Sequence, residues 1–152
     1  MKLKNCAFIL FFLILSSSIC FSQIKTKPAA ATDSQTARSS PAYAEVLLRK
    51  TELLSELESL LVEFTEEYPK VKELRFETGL LQKDLDKLLA VSAPESSKLS
   101  TALGKLMVRR CELNTDLWAL QQQFNDQHPD VKRAKRKAEI FENAIKDILQ
   151  TK

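Results

Sequence analysis

FTEEYPKVK at 64–72 and FNDQHPDVK at 124–132 decide the reading of this chain. They lie sixty residues apart. Each runs from a phenylalanine through three polar residues to a ring residue, then proline, a variable residue, valine and lysine. Sliding the chain by sixty superposes 48–89 on 108–149 without a gap. Ten of those 42 positions are identical: Arg49, Glu52, Leu53, Leu57, Leu60, Phe64, Pro69, Val71, Lys72 and Leu89. Chance would give about two or three at average residue frequencies. Self-similarity at a fixed period marks a duplicated structural unit that packs against itself.

Outward from the first motif, apolar residues fall at Leu54, Leu57, Leu61, Phe64, Tyr68, Val71, Leu74, Leu81, Leu85 and Leu88. That spacing is a heptad seam, with one extra three-residue step around Tyr68–Leu74 that overwinds a coiled coil locally. The second copy keeps the register through Leu113, Leu117, Leu120, Phe124, His128 and Val131 to Ile145 and Ile148. Between the copies, 91–97 (VSAPESS) holds the only mid-chain cluster of turn formers, with Ser96 or Ser97 placed to cap a second helix. The expectation is an all-α antiparallel hairpin, a coiled coil of arms 43–90 and 98–150, each ~70–80 Å long. Proline within a helix removes a hydrogen bond and clashes with the preceding turn, so Pro69 and Pro129 should kink the arms. The alternative is a turn at each proline and a four-helix bundle. The seam crosses both prolines without a glycine, which favours the kinked arm.

Composition agrees. Two glycines in 152 residues leave no Gly-rich phosphate loop and little room for strand-rich folds. Gly79 and Gly104 fall inside the arms, at a cost of about 1 kcal/mol each relative to alanine. Residues 44–90 carry 7 basic and 11 acidic side chains, and residues 98–152 carry 11 and 7. In a hairpin turning near residue 94, the run Lys132–Lys137 (KRAKRK) would face Glu52, Glu56 and Glu58. Such pairs contribute about 0–1 kcal/mol each but select register.

The N-terminus reads as an address. Lys2 and Lys4 precede the apolar run CAFILFFLIL at 6–15, too short to span a bilayer and suited to a signal peptide over 1–22. Cleavage before Gln23 would place Cys20 and Ser22 at −3 and −1; Cys20 as a lipidated cysteine is the other reading. Residues 23–42 are Ala/Ser/Thr-rich with little to bury, as in a flexible linker. The mature chain keeps one cysteine, Cys111, so it forms no internal disulfide.

The catalytic inventory is thin. One histidine and one mature cysteine form no nucleophilic, CxxC or HExxH arrangement, and no metal site or cofactor is expected. His128 takes the place of Tyr68 in the other copy and reads as a packing residue. Cys111, beside Arg110, reads as a small residue on a helix flank, with an intermolecular disulfide as the alternative. Export removes nucleic acid from reach of the basic run, which lacks interleaved aromatics for stacking. Leu53, Leu60, Leu74, Leu81, Leu88 and Trp118 are candidate interface residues, because two arms bury only one face each.

The segment FNDQHPDV at 124–131, followed by an amphipathic helix, resembles a motif in the periplasmic coiled coils of bacterial polysaccharide chain-length determinant proteins of the Wzz and GumC type. Residues 113–149 carry the likeness, with Phe124, His128, Pro129 and Val131. Residues 53–89 are a weaker copy with Phe64, Tyr68, Pro69 and Val71. The resemblance implies a periplasmic helical element. In size and compartment the chain is also similar to Skp-type periplasmic chaperones. The expected function is therefore a non-enzymatic, exported coiled-coil module of the cell envelope, acting by self-association or through a partner helix. A holdase-type chaperone and an accessory of a polysaccharide export system are the alternatives. Membrane contact is expected only through the signal peptide.

Overall fold

A proline forces the residue before it into extended backbone. Tyr68 (φ −62°, ψ 130°) and His128 (φ −61°, ψ 138°) adopt that geometry, and Pro69 and Pro129 each open a new helix. The computed structural model describes residues 29–150. Over them run α1 (Ala29–Arg38), α2 (Pro41–Leu61), α3 (Pro69–Leu89), a 3-10 turn (Ala93–Lys98), α4 (Thr101–Gln121) and α5 (Pro129–Leu149). The protein is all-helical over this span. The signal-peptide reading, Cys6, Cys20 and the first part of the linker lie outside the described residues.

The continuous kinked arms do not form. The chain turns over 62–68 and again over 122–128, and α3 and α5 fold back on α2 and α4. Each long helix has 21 residues, about 31 Å at 1.5 Å per residue. The seam crossed the prolines because Phe64 and Tyr68 stand four residues apart, as on a helix. Instead they clasp the turn, their rings stacked with centroids 4.2 Å apart. Phe124 and His128 stack at the same 4.2 Å. The backbone repeats as well. Phe64 N–H donates to the Leu60 carbonyl at 2.8 Å and Tyr68 N–H to that of Thr65 at 3.0 Å. Sixty residues on, Phe124 donates to Leu120 at 2.8 Å and His128 to Asn125 at 3.0 Å.

The duplication reaches further back than residue 48, with Ser40 matched by Ser100 and Ala42 by Ala102. Ser40 Oγ accepts from the Tyr43 amide at 3.2 Å, and Ser100 Oγ from the Leu103 amide at 3.3 Å, so equivalent serines cap α2 and α4. Ser100 is therefore the cap of the second unit, while Ser96 and Ser97 lie in the 3-10 turn before it. The expected linker also contains structure: α1 occupies ten of its residues, and Ala37 is buried in the core. Alanine has the highest helix propensity and a small side chain, and here it lets α1 sit against α3 and the 3-10 turn.

Helix α4 is the hub. It lies alongside α2 in the same direction, with Gly104 against Ala42 and Glu45, and Arg49 within 3.7 Å of Glu112. It crosses α3 in the opposite direction, with Phe76 stacked on Trp118 at one end and Asp84 bonded to Arg110 nearer the other. A third side carries α5. Successive units of a stacked helical repeat pack in this order, first helix on first helix and second helix on the next first helix. Leu53, Leu74, Leu81 and Leu88, expected to await a partner, are instead buried inside this stack, and Leu60 is half-buried at its edge. Full burial of such a side chain stabilises by roughly 1.5–3 kcal/mol, so folding of the chain on itself already captures that energy.

Gly79 has open space where a Cβ would stand. Gly79→Ala should raise stability by about 0.4–1 kcal/mol through lower unfolded-state entropy and better helix propensity. A higher denaturant midpoint at unchanged m-value would show it.

Candidate functional site

Among the described residues the most deeply buried charged centre lies where the two hairpins meet; Glu77, paired with Arg49 at 3.2 Å, is a second buried charge. Arg110 donates through Nη2 to Asp84 Oδ2 on α3 and through Nη1 to Glu142 Oε2 on α5 at 2.7 Å, so a side chain of α4 ties three helices together. Asp84 is fully buried and Arg110 nearly so. Burial opposes the charge on Arg110. The Asp84 charge and hydrogen bond, with the Glu142 bond, outweigh that and hold its pKa above the ordinary guanidinium value. Burial also pushes Glu142 up, but the Arg110 bond and charge, helped by Lys87 and Lys146, bring its carboxyl below the usual range.

Cys111 sits within this centre, its Sγ donating to Asp84 Oδ2 at 3.2 Å. Burial and then the Asp84 charge push the thiol up to about 12, and the lowering influence of Arg110 does not offset them. The intermolecular disulfide considered from sequence is thus corrected: the thiol is fully buried and protonated. Two results should follow. Thiol reagents should modify Cys111 only on unfolding. The raised folded-state pKa also means that the native state holds its proton when the unfolded thiol has lost its own. This contribution to stability is therefore complete below the ordinary value of 9.0 and is lost as pH rises towards about 12, at about 1.4 kcal/mol per pH unit. Comparing Cys111→Ala with the parent chain across alkaline pH isolates it.

The motif residues form the two turns. Val71 and Val131 are buried, Pro69 and Pro129 open their helices, and His128 Nδ1 accepts from the Asp130 amide at 3.2 Å, capping α5. Tyr68 provides no such cap. Trp118 is half-buried against Phe76, with ring centroids 5.1 Å apart. The pairing of Lys132–Lys137 with Glu52, Glu56 and Glu58 is not made. Among the described residues Arg133 pairs with Asp130 and Glu52 with Arg49, while the basic run lies exposed on α5. The turns at the prolines are the reason: they bring α2 to α4 and leave α5 on the far side.

No family model, no curated protein and no solved structure matches this chain.

The surface supplies the remaining candidates. Among the described residues, no group of three or more His, Cys, Asp or Glu side chains is arranged to hold a metal. Of the eight exposed large apolar side chains among the described residues, six lie on the first hairpin, Leu47, Leu48 and Leu54 on α2 with Val62, Phe64 and Tyr68 at its turn, and Phe124 and Ile140 lie on the second. A shallow groove along α2 is lined by Leu48, Thr51, Glu52, Ser55, Glu56 and Ser59. A cleft of about 510 Å³ between α3, the 3-10 turn and α5 has an apolar floor of Val91, Ile145 and Leu149. Its lysines are matched by acids, Lys98 with Glu95 at 2.8 Å and Lys146 with Glu142 at 3.9 Å. Sequence reasoning missed the α2 stripe, because Leu47 and Leu48 fall outside the heptad seam.

Proposed function

We propose that this chain is an exported, non-enzymatic helical module of the cell envelope that works by binding another protein through the outer face of α2. The observation that carries the reading is the α2 stripe itself, where large apolar side chains are exposed in a row and flanked by carboxylates. Two placements support the non-enzymatic part. The lone mature thiol is buried and protonated, and the lone histidine is used as a helix cap. The N-terminal pattern Lys2, Lys4 and the apolar run at 6–15 supports export. No helix among the described residues is long and apolar enough to cross a membrane.

A photo-reactive residue placed at Leu48 in living cells tests the binding face, with one at the exposed Lys83 on α3 as control. The expected result is a cross-linked product from Leu48 alone, from a chain recovered outside the cytoplasm with Gln23 at its N-terminus. A chain retained in the cytoplasm, or no product from Leu48, overturns the reading. Suppression of aggregation of an unfolded client by the purified chain would shift it to a holdase.

A further inference from the structure

The α2 stripe has a twin whose partner is visible. Sixty residues on, Ala44, Leu47, Thr51, Ser55 and Glu58 become Gly104, Met107, Cys111, Thr115 and Trp118 on α4. That second stripe is seated on the first hairpin: Met107 is 0% exposed where Leu47 is 41% exposed, and Gly104, Cys111 and Thr115 are buried where Ala44, Thr51 and Ser55 are open. The receiving face has a twin too. Ala42, Glu45, Arg49 and Phe76, which meet the α4 stripe, correspond to Ala102, Lys105, Arg109 and Arg136, and all four of these are exposed. One end of the molecule thus presents an unused docking ridge, and the other an unused seat of the same design.

The side chains on the two free faces match each other. In the internal contact Arg49 holds Glu52 of its own helix at 3.7 Å and reaches Glu112 across the hairpins at 3.7 Å. Arg109 holds Glu112 of its own helix at 2.7 Å, and its counterpart across a repeated contact is Glu52. The internal Phe76–Trp118 stack becomes Arg136 against Glu58, so an aromatic pair is replaced by an ion pair of opposite charges. The basic α5 run and the acidic α2 flank, which have no mutual contact within one chain, then face one another.

We propose that copies of this chain stack head to tail, the α2 ridge of one copy on the α4–α5 seat of the next, repeating the internal contact between hairpins. The proposal rests on the interaction-module reading and names its partner as a second copy. Such a heterologous contact does not close on itself and grows as an open stack. Ala44 carries a methyl where Gly104 has none, so the helices part slightly more than within the chain. Arg109 and Arg136 make the contact salt-sensitive.

Sedimentation velocity of the purified full chain across the micromolar range tests this. The expected result is a mass that climbs past the dimer with concentration and falls at high salt. Glu58→Arg and Arg136→Glu should each weaken association at least about tenfold, and the two together in one chain should restore it. Both positions are exposed, so circular dichroism should show all variants folded. A parent chain that stays monomeric, an assembly that stops at a dimer, or association that survives both single reversals overturns the stacking. A monomer that still gives a Leu48 cross-link to another protein leaves the interaction-module reading standing, whereas a monomer without that product removes both.

Discussion

Asp84→Ala should destabilise the fold by about 3–5 kcal/mol, the cost of breaking a buried charge pair from one side. The substitution leaves the Arg110 guanidinium buried with only Glu142, which lies towards solvent. It also strips the Cys111 thiol of its acceptor. Charge in a low-dielectric interior carries a desolvation cost that only a matched partner offsets. Replacing both members, Asp84→Leu with Arg110→Met, should recover most of the loss, because no charge then remains buried unpaired. Equilibrium denaturation of the two single variants and the double variant checks it. Asp84→Ala as stable as the parent chain would show that the bridge contributes nothing. The first hairpin holds only an exposed analogue of the bridge, Lys50 to Gln82, equivalent to Arg110 with Glu142. The fully buried acid has no such twin, since Ala144 stands where Asp84 would repeat. The network is therefore a key cut once, at the junction, to fix which helices meet there.

Gly104→Ala should cost about 1–3 kcal/mol, the usual penalty for overpacking a filled site. A Cβ there would stand 2.8 Å from the Glu45 Cβ and 3.0 Å from the Ala42 backbone. Backbone cannot swing aside as a long side chain can, so α2 and α4 would have to separate along the contact that joins the hairpins. The opposite response at Gly79 provides the control. A Gly104→Ala variant with an unchanged denaturant midpoint would show that the helices are free to part. Both glycines look alike in sequence, each inside a helical pattern at the ordinary cost in helix propensity. The difference between them is a neighbour in space.

How much of this was legible in advance follows the same division. Helix content and the duplication could be read from periodicity and from a sixty-residue shift, because side chains facing one core recur at the helical period. The turns could not. Phe64–Tyr68 and Phe124–His128 keep a four-residue spacing in both a helix and a stacked turn, so the pattern is degenerate. Proline supplies only a local bias that tertiary contacts resolve. Register between the arms failed for a related reason. Opposite charge on two stretches says that they attract, not that the chain is shaped to let them meet. The site was least legible of all. Cys111 looked like a flank residue because nothing local announces Asp84, 27 positions away, and the exposed stripe on α2 is recognisable only by comparison with its buried twin on α4.

By itself, then, the sequence determined an all-helical chain built twice, poor in glycine and divided into an acidic and a basic half, because composition and period depend on each residue's own chemistry. Only the tertiary structure decided where the chain turns, that α4 is the hub, that the cysteine is buried, and which leucines still face outward. Those outcomes depend on which side chains share space, and the partners at the buried centre stand 26, 27 and 32 positions apart in the chain.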